Sequence, residues 1–197
     1  MSDATWNTAL HEAGHFAFAS IARFLGPSKL LTIDPARAAI HGREGKKTQG
    51  VLSRTPSTVE RLLRMESRGH AIDTLFSDTA EGRMDRSAYQ QGKPMVVREI
   101  VLEAFAGSAA DSTIGTRDGT FNESDYMQAR NAALLMMRDD ELPKYFTLHY
   151  ERAKLLCRGP LRPAILAIAE RLMKQRTIEG GALHSLWIEV SPGPVAL

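Results

Sequence analysis

The sequence predicts a mainly α-helical protein with one small β-hairpin or sheet, an α+β arrangement. Three observations lead there. Apolar residues recur at helical spacing in several segments spread along the chain. Two short runs read as strands on either side of a polar stretch. No Pro/Gly/Ser-rich linker splits the 197 residues, so residues 1–197 read as a single domain.

The first helix spans residues 3–25. Asp3 stands at its N-cap, Trp6, Leu10, Ala13, Ala17, Ile21 and Phe24 form its apolar stripe, and Gly26-Pro27 stops it. Residues 29–34 read as a strand ending at Pro35, and residues 48–53 as a second. The Arg/Lys/Gly-rich stretch between them reads as a long mobile hairpin tip carrying Arg43, Lys46 and Lys47 as solvated charges. A helical region opens at Pro56 or Ser57 and runs to about Glu81. Residues 83–94, ending in Gly92-Lys93-Pro94, read as a loop with room for a helical turn. Residues 95–112 form a strong helix, and residues 113–121 a Gly/Thr-rich loop. Asn122 or Ser124 caps a helix to about Arg138. Helices over roughly 140–157, 161–175 and 178–188 complete the chain, punctuated by Pro160 and Gly180.

Composition excludes several functions. The 43% hydrophobic and 24% charged residues are those of an ordinary globular protein. A net charge of +2 gives no reason to expect nucleic acid or an anionic membrane as partner. The single cysteine, Cys157, rules out an internal disulfide and a cysteine-based zinc site, and fits a reducing cytoplasm. With no basic-then-apolar leader and no run long enough to span a membrane, the expectation is a cytoplasmic protein.

The chemistry lies in His11-Glu12-Ala13-Gly14-His15. Residues four apart share one helical face, so both imidazoles can reach one ion. Zinc takes such ligands and leaves a position for water in catalytic sites. Glu12, adjacent to a ligand, is placed to act as general base. Gly14 costs about 1 kcal/mol in a helix interior, which calls for another backbone packed close beside it. The third ligand lies elsewhere. Phe18 and Ile21 occupy the positions at which one large zinc-peptidase class carries its glycine and third histidine, and His41, His70, His149 and His184 have no ligand spacing. A carboxylate is the better third ligand.

The chain resembles the peptidase domain of the FtsH family of ATP-dependent zinc proteases. Thr8-Ala9-Leu10-His11-Glu12-Ala13-Gly14-His15 is similar to that family's zinc helix. Leu31-Thr32-Ile33-Asp34-Pro35 and Gly50-Val51-Leu52 resemble its strand pair, and Ala106-Gly107-Ser108-Ala109-Ala110-Asp111 its Gly-Gly-Arg-Ala-Ala-Glu segment. Asn122-Glu123-Ser124-Asp125-Tyr126-Met127-Gln128-Ala129 resembles the segment whose Asn-Asp-Leu step supplies the third ligand. Tyr150-Glu151-Arg152-Ala153-Lys154 and Arg176-Thr177-Ile178-Glu179-Gly180 resemble two C-terminal signatures.

The resemblance implies an FtsH-peptidase-like helical metalloprotease domain that binds Zn2+ through His11, His15 and Asp125, with Glu123 as the fallback ligand and Glu12 as catalytic base. Asp111 stands where the family has Glu and is either structural or a hydrogen-bond partner of a ligating histidine. Ser108 and Ser112 replace an Arg and an acid of the family pattern. Gly50-Val51-Leu52 is either a plain hairpin strand or an edge that pairs with an extended peptide. The family's ATPase module and membrane anchor have no counterpart in the sequence, and residues 55–94 form a longer, inserted helical segment. The expectation is therefore a free-standing zinc endopeptidase acting on flexible or unfolded polypeptides. Its alternatives are a non-catalytic metal-binding regulatory module and a peptidase fed by a separate ATPase. A homo-oligomer is compatible with each.

Overall fold

A computed structural model describes residues 3–41, 50–69, 86–116 and 121–195. The chain is mainly helical, with eight helices and a three-stranded antiparallel sheet among these residues. They run α1 (Asp3–Ile21), β1 (Ser28–Thr32), α2 (Pro35–His41), β2 (Val51–Arg54), α3 (Thr58–Glu66), α4 (Arg86–Thr113), α5 (Glu123–Ala133), α6 (Leu142–Arg158), α7 (Arg162–Gln175), β3 (Thr177–Glu179) and α8 (Gly181–Val190).

The 28 residues of α4 make a rod about 42 Å long at 1.5 Å per residue. Helices α1, α3, α5 and α6 all pack on it, and α7 covers the other side of α1. Leu10, Phe16, Phe18, Leu102, Phe105, Ile165, Ile168 and Leu172 fill the main core, each buried side chain stabilising by about 1.5–3 kcal/mol. A smaller cluster of Leu25, Leu62, Leu63, Tyr89, Val96 and Val97 joins α3 to the first half of α4. Cys157 is a buried core thiol, pushed up to about 12 by burial. No described helix is long and apolar enough to cross a membrane.

The first helix ends at Ile21, four residues earlier than its apolar stripe predicts. The chain then turns over buried carboxylates: Glu99 accepts from the backbone N–H groups of Arg23 and Phe24, and Glu60 from those of Gly26 and Ser57. No larger residue fits at Gly26, where a Cβ would lie 1.7 Å from the Thr55 carbonyl oxygen.

The predicted hairpin forms, with Leu31 opposite Leu52 and Thr32 opposite Val51. Part of its tip is helical: α2 opens at Pro35, with Asp34 accepting from the Ala36 N–H. The rest of the tip, with Arg43, Lys46 and Lys47, lies outside the described residues. So does the stretch from His70 to Asp85.

Two expectations need correction. Residues 86–94 are not a loop but the first turns of α4, with Pro94 inside the helix. Tertiary bonds hold that end down, since Tyr89 Oη and Lys93 Nζ both reach Glu66, at 2.6 and 2.8 Å. Residues 178 and 179 do not open the last helix but lie with Thr177 in a third strand beside β1, giving the order β2-β1-β3. Arg176 and Gly180 flank it with φ of 63° and 52°, breaking the run between α7 and α8.

Candidate metal centre

His11 and His15 sit one turn apart on α1, on the side that faces α4 and α5. Their Nε2 atoms are 3.1 Å apart. The Asp125 Oδ2 atom, from the first turn of α5, lies 3.3 Å from His11 Nε2 and 3.5 Å from His15 Nε2. Asn122 starts that helix by accepting from the Ser124 N–H, which aims the next residue, Asp125, back across the seam. These three are the one group of metal-ligand type among the described residues. Glu123, the fallback, is exposed and outside the group. His149 and His184 are also outside it.

Each imidazole is oriented through its other nitrogen. His11 Nδ1 donates to Asp111 Oδ2 at 2.8 Å, and His15 Nδ1 donates to the backbone carbonyl of Glu103 at 2.7 Å. A carbonyl can only accept, so His15 carries a proton on Nδ1, and in its neutral form Nε2 is the nitrogen with the free lone pair. The Asp111 carboxylate sets the same tautomer for His11, which assigns Asp111 a partner role over a purely structural one. Its Oδ1 atom is buried without a hydrogen-bond partner.

Two imidazole Nε2 atoms and a carboxylate oxygen thus face one another at 3.1–3.5 Å. Tetrahedral nitrogen and oxygen ligands at about 2.0–2.1 Å from zinc stand about 3.3–3.4 Å apart. The donor set therefore fits zinc in both chemistry and spacing. Without an ion the cluster resolves its conflict with protons. Burial opposes charge on both imidazoles, but is outweighed by Asp111 and Asp125 at His11 and by Asp125 at His15, so both are held above the ordinary histidine value. Burial likewise opposes ionisation of Asp125, and the two histidines overcome it, holding that carboxyl well below the usual range.

Glu12 is buried beside the ligands. Burial raises its pKa, against the lowering effect of His15 and His11. Gly50, just before β2, lies directly against it: a Cβ there would be 2.6 Å from Glu12 Cγ. Two other glycines make the site possible. At Gly107 a Cβ would meet His15 Nε2 at 2.5 Å and His11 Nε2 at 2.6 Å. At Gly14 it would meet the Ala106 carbonyl oxygen at 2.6 Å, so the predicted close backbone is that of α4.

Sequence reasoning missed the polar support behind these groups. Arg54, at the far end of β2, bridges Glu60 at 3.0 Å and Glu103 at 3.2 Å, and all three side chains are buried. Gln128 on α5 also donates to Glu103, at 3.1 Å. Glu103 therefore ties His15, β2 and the Asp125 helix together. The available signal was a pair of acids, Glu99 and Glu103, set four apart with only Ile100, Val101 and Leu102 between them; buried carboxylates need partners.

No protein-family model matches the chain, and no curated protein matches it either.

Proposed function

We propose that the protein is a zinc-dependent endopeptidase of FtsH-peptidase type, in which His11, His15 and Asp125 hold the metal and Glu12 is the general base. The observation that carries this reading is the convergence of two imidazole Nε2 atoms and a carboxylate oxygen beside a buried glutamate. A structural zinc site has no use for Glu12, whereas hydrolysis needs a base at that position. When bound, zinc supplies Lewis acidity and lowers the pKa of water to about 7.

The chain's own residues supply the rest. Asp111 and the Glu103 carbonyl fix the imidazole tautomers, as outer partners do in metal sites. Burial raises the proton affinity of Glu12 towards the range useful for taking a proton from water and passing it to a leaving amine. Among the three described strands, β2 is an edge, and the residue just before it, Gly50, lies against Glu12. Such an edge can pair with an extended chain through backbone hydrogen bonds, which favours flexible or unfolded polypeptides as substrates in a reducing cytoplasm. A separate ATPase would widen that range to folded proteins; its co-purification is the check on that extension.

The test is hydrolysis of an unstructured protein such as casein by the zinc-loaded protein and by Glu12→Gln. Turnover should fall by at least about 100-fold in the variant, from the usual worth of acid–base catalysis, with metal content unchanged. Equal turnover removes the mechanism. Bound metal with no turnover in either protein would leave a metal-binding module.

A further inference from the structure

Strand β2 is four residues long, and contacts at its two ends join it to the metal centre. At its start Gly50 lies against Glu12, where a Cβ would be 2.6 Å from Glu12 Cγ. At its end Arg54 spreads its guanidinium between two helices. Nη1 donates to Glu60 Oε1 on α3 at 3.0 Å, and Nη2 donates to Glu103 Oε2 on α4 at 3.2 Å. Glu103 is also the residue whose backbone carbonyl accepts from His15 Nδ1, at 2.7 Å. One residue therefore separates the end of the edge strand from an imidazole of the candidate metal set.

Stability alone gives no reason for this cluster. The side chains of Arg54, Glu60 and Glu103 are 9%, 2% and 8% exposed. Taking such charges out of water costs about as much as their attraction returns, so apolar side chains of similar volume would serve the core as well. Two carboxylates against one guanidinium also leave a surplus negative charge. What the ions add is direction. The guanidinium fork is rigid and planar, and its partners are pinned in turn. Glu60 Oε2 accepts from the Gly26 and Ser57 N–H groups, and Glu103 Oε2 accepts from Gln128 on α5. Pairing with β1 places β2 within the sheet; the fork places it relative to α4, and so to His15. An extended chain paired with β2 inherits that spacing, and a reacting bond misplaced by about 1 Å can lose about 100-fold in rate.

We propose that Glu103 is a positioning residue for the substrate: through Arg54 its carboxylate holds β2 at the spacing at which an extended polypeptide on that strand presents one bond to the metal centre. The inference rests on the peptidase reading above. Glu103 then matters for long substrates, which lie along β2, and not for short ones, which reach the metal centre alone.

The test uses the full chain with saturating zinc and two substrates. One is a peptide about ten residues long, about 33 Å when extended, around a bond that the wild-type protein cuts in casein. The other is the shortest blocked fragment of it still cut at that bond. The ratio of their kcat/KM values cancels the fraction of active protein, so a general loss of stability leaves it unchanged. In Glu103→Leu the long-to-short ratio should fall at least about 10-fold. Glu103→Gln keeps an oxygen for both donors and should restore most of it. Arg54→Lys keeps the cation without the fork and should also lower the ratio; it decides the matter if Glu103→Leu does not fold. Tyr89→Phe removes the bond to Glu66, about 21 Å away along α4 at 1.5 Å per residue, and should leave the ratio as it is. A wild-type ratio in Glu103→Leu or Arg54→Lys overturns the proposal. So does an equal fall in Tyr89→Phe, or no recovery in Glu103→Gln. A wild-type protein that cuts neither casein nor the peptide overturns the peptidase reading itself, and this inference with it.

Discussion

Replacing Gly107 with alanine separates the metal centre from the fold around it. The added Cβ would stand 2.5 Å from His15 Nε2 and 2.6 Å from His11 Nε2, where non-bonded atoms prefer about 3.5 Å or more. The imidazoles must therefore retreat by about 0.9–1.0 Å, several times the ~0.2 Å tolerance of metal–ligand distances. Both are tethered through Nδ1, to Asp111 and to the Glu103 carbonyl, so neither can shift without losing a hydrogen bond. Zinc affinity should fall at least about 100-fold, or about 2.7 kcal/mol. The metal-free fold should suffer less. Overpacking costs about 1–3 kcal/mol, and alanine returns about 1 kcal/mol of helix propensity at an interior position, for a net loss of about 0–2 kcal/mol. At about 2–4 °C per kcal/mol for a chain of this size, the melting temperature drops by at most about 8 °C. Competition with a chromophoric chelator gives the affinity, and thermal melts of the metal-free proteins give the stability. Wild-type zinc affinity in Gly107→Ala would refute the site geometry.

Other outcomes follow from the same groups. Asp125→Ala should lose stoichiometric zinc after dialysis, measured by elemental analysis; undiminished zinc would mean the third ligand is another residue. Asp111→Asn keeps the shape but not the charge behind His11, and should weaken zinc about 10–100-fold with little change in the metal-free melt. In the metal-free protein both His11 and His15 are held above the ordinary histidine value of about 6.5. Their stabilising contribution is therefore complete below about pH 6.5 and is lost as pH rises through the raised folded-state values. Metal-free melting temperature should fall from pH 6.5 towards pH 9, and zinc affinity should rise over the same window as the ion displaces protons. A flat melting profile would contradict the cluster's protonation.

The helix of His11 and His15 was legible because the motif is local: four residues of spacing fix a face, and Gly14 announced its neighbour. The N-cap was readable as Asn122 or Ser124; it is Asn122, which orients the helix that carries Asp125. The sheet's third strand was not. Three residues cannot show a period, and β3 exists because β1 offers Leu30, Leu31 and Thr32 as partners. The first turns of α4 were hidden by Gly92 and Pro94, whose local preference yields to the pull of Glu66 on Tyr89 and Lys93. Glu103 and Arg54 were invisible for another reason. A buried ion pair between residues 49 positions apart leaves only an unexplained charge in an apolar run, and the sequence does not say what answers it.

The two ends of the candidate ligand set are 114 residues apart in the chain. An ion held by His11 and Asp125 would close a loop of that length. In a polypeptide with a single cysteine it would act as a removable cross-link, with the reach of a long-range disulfide. Constraining a loop of about 100 residues is worth about 4.7 kcal/mol in the chain-entropy description. Chelation would then do more than silence a site. It would lower the stability of the whole fold, whose main core includes α1, and the metal-free protein should melt below the zinc-loaded one.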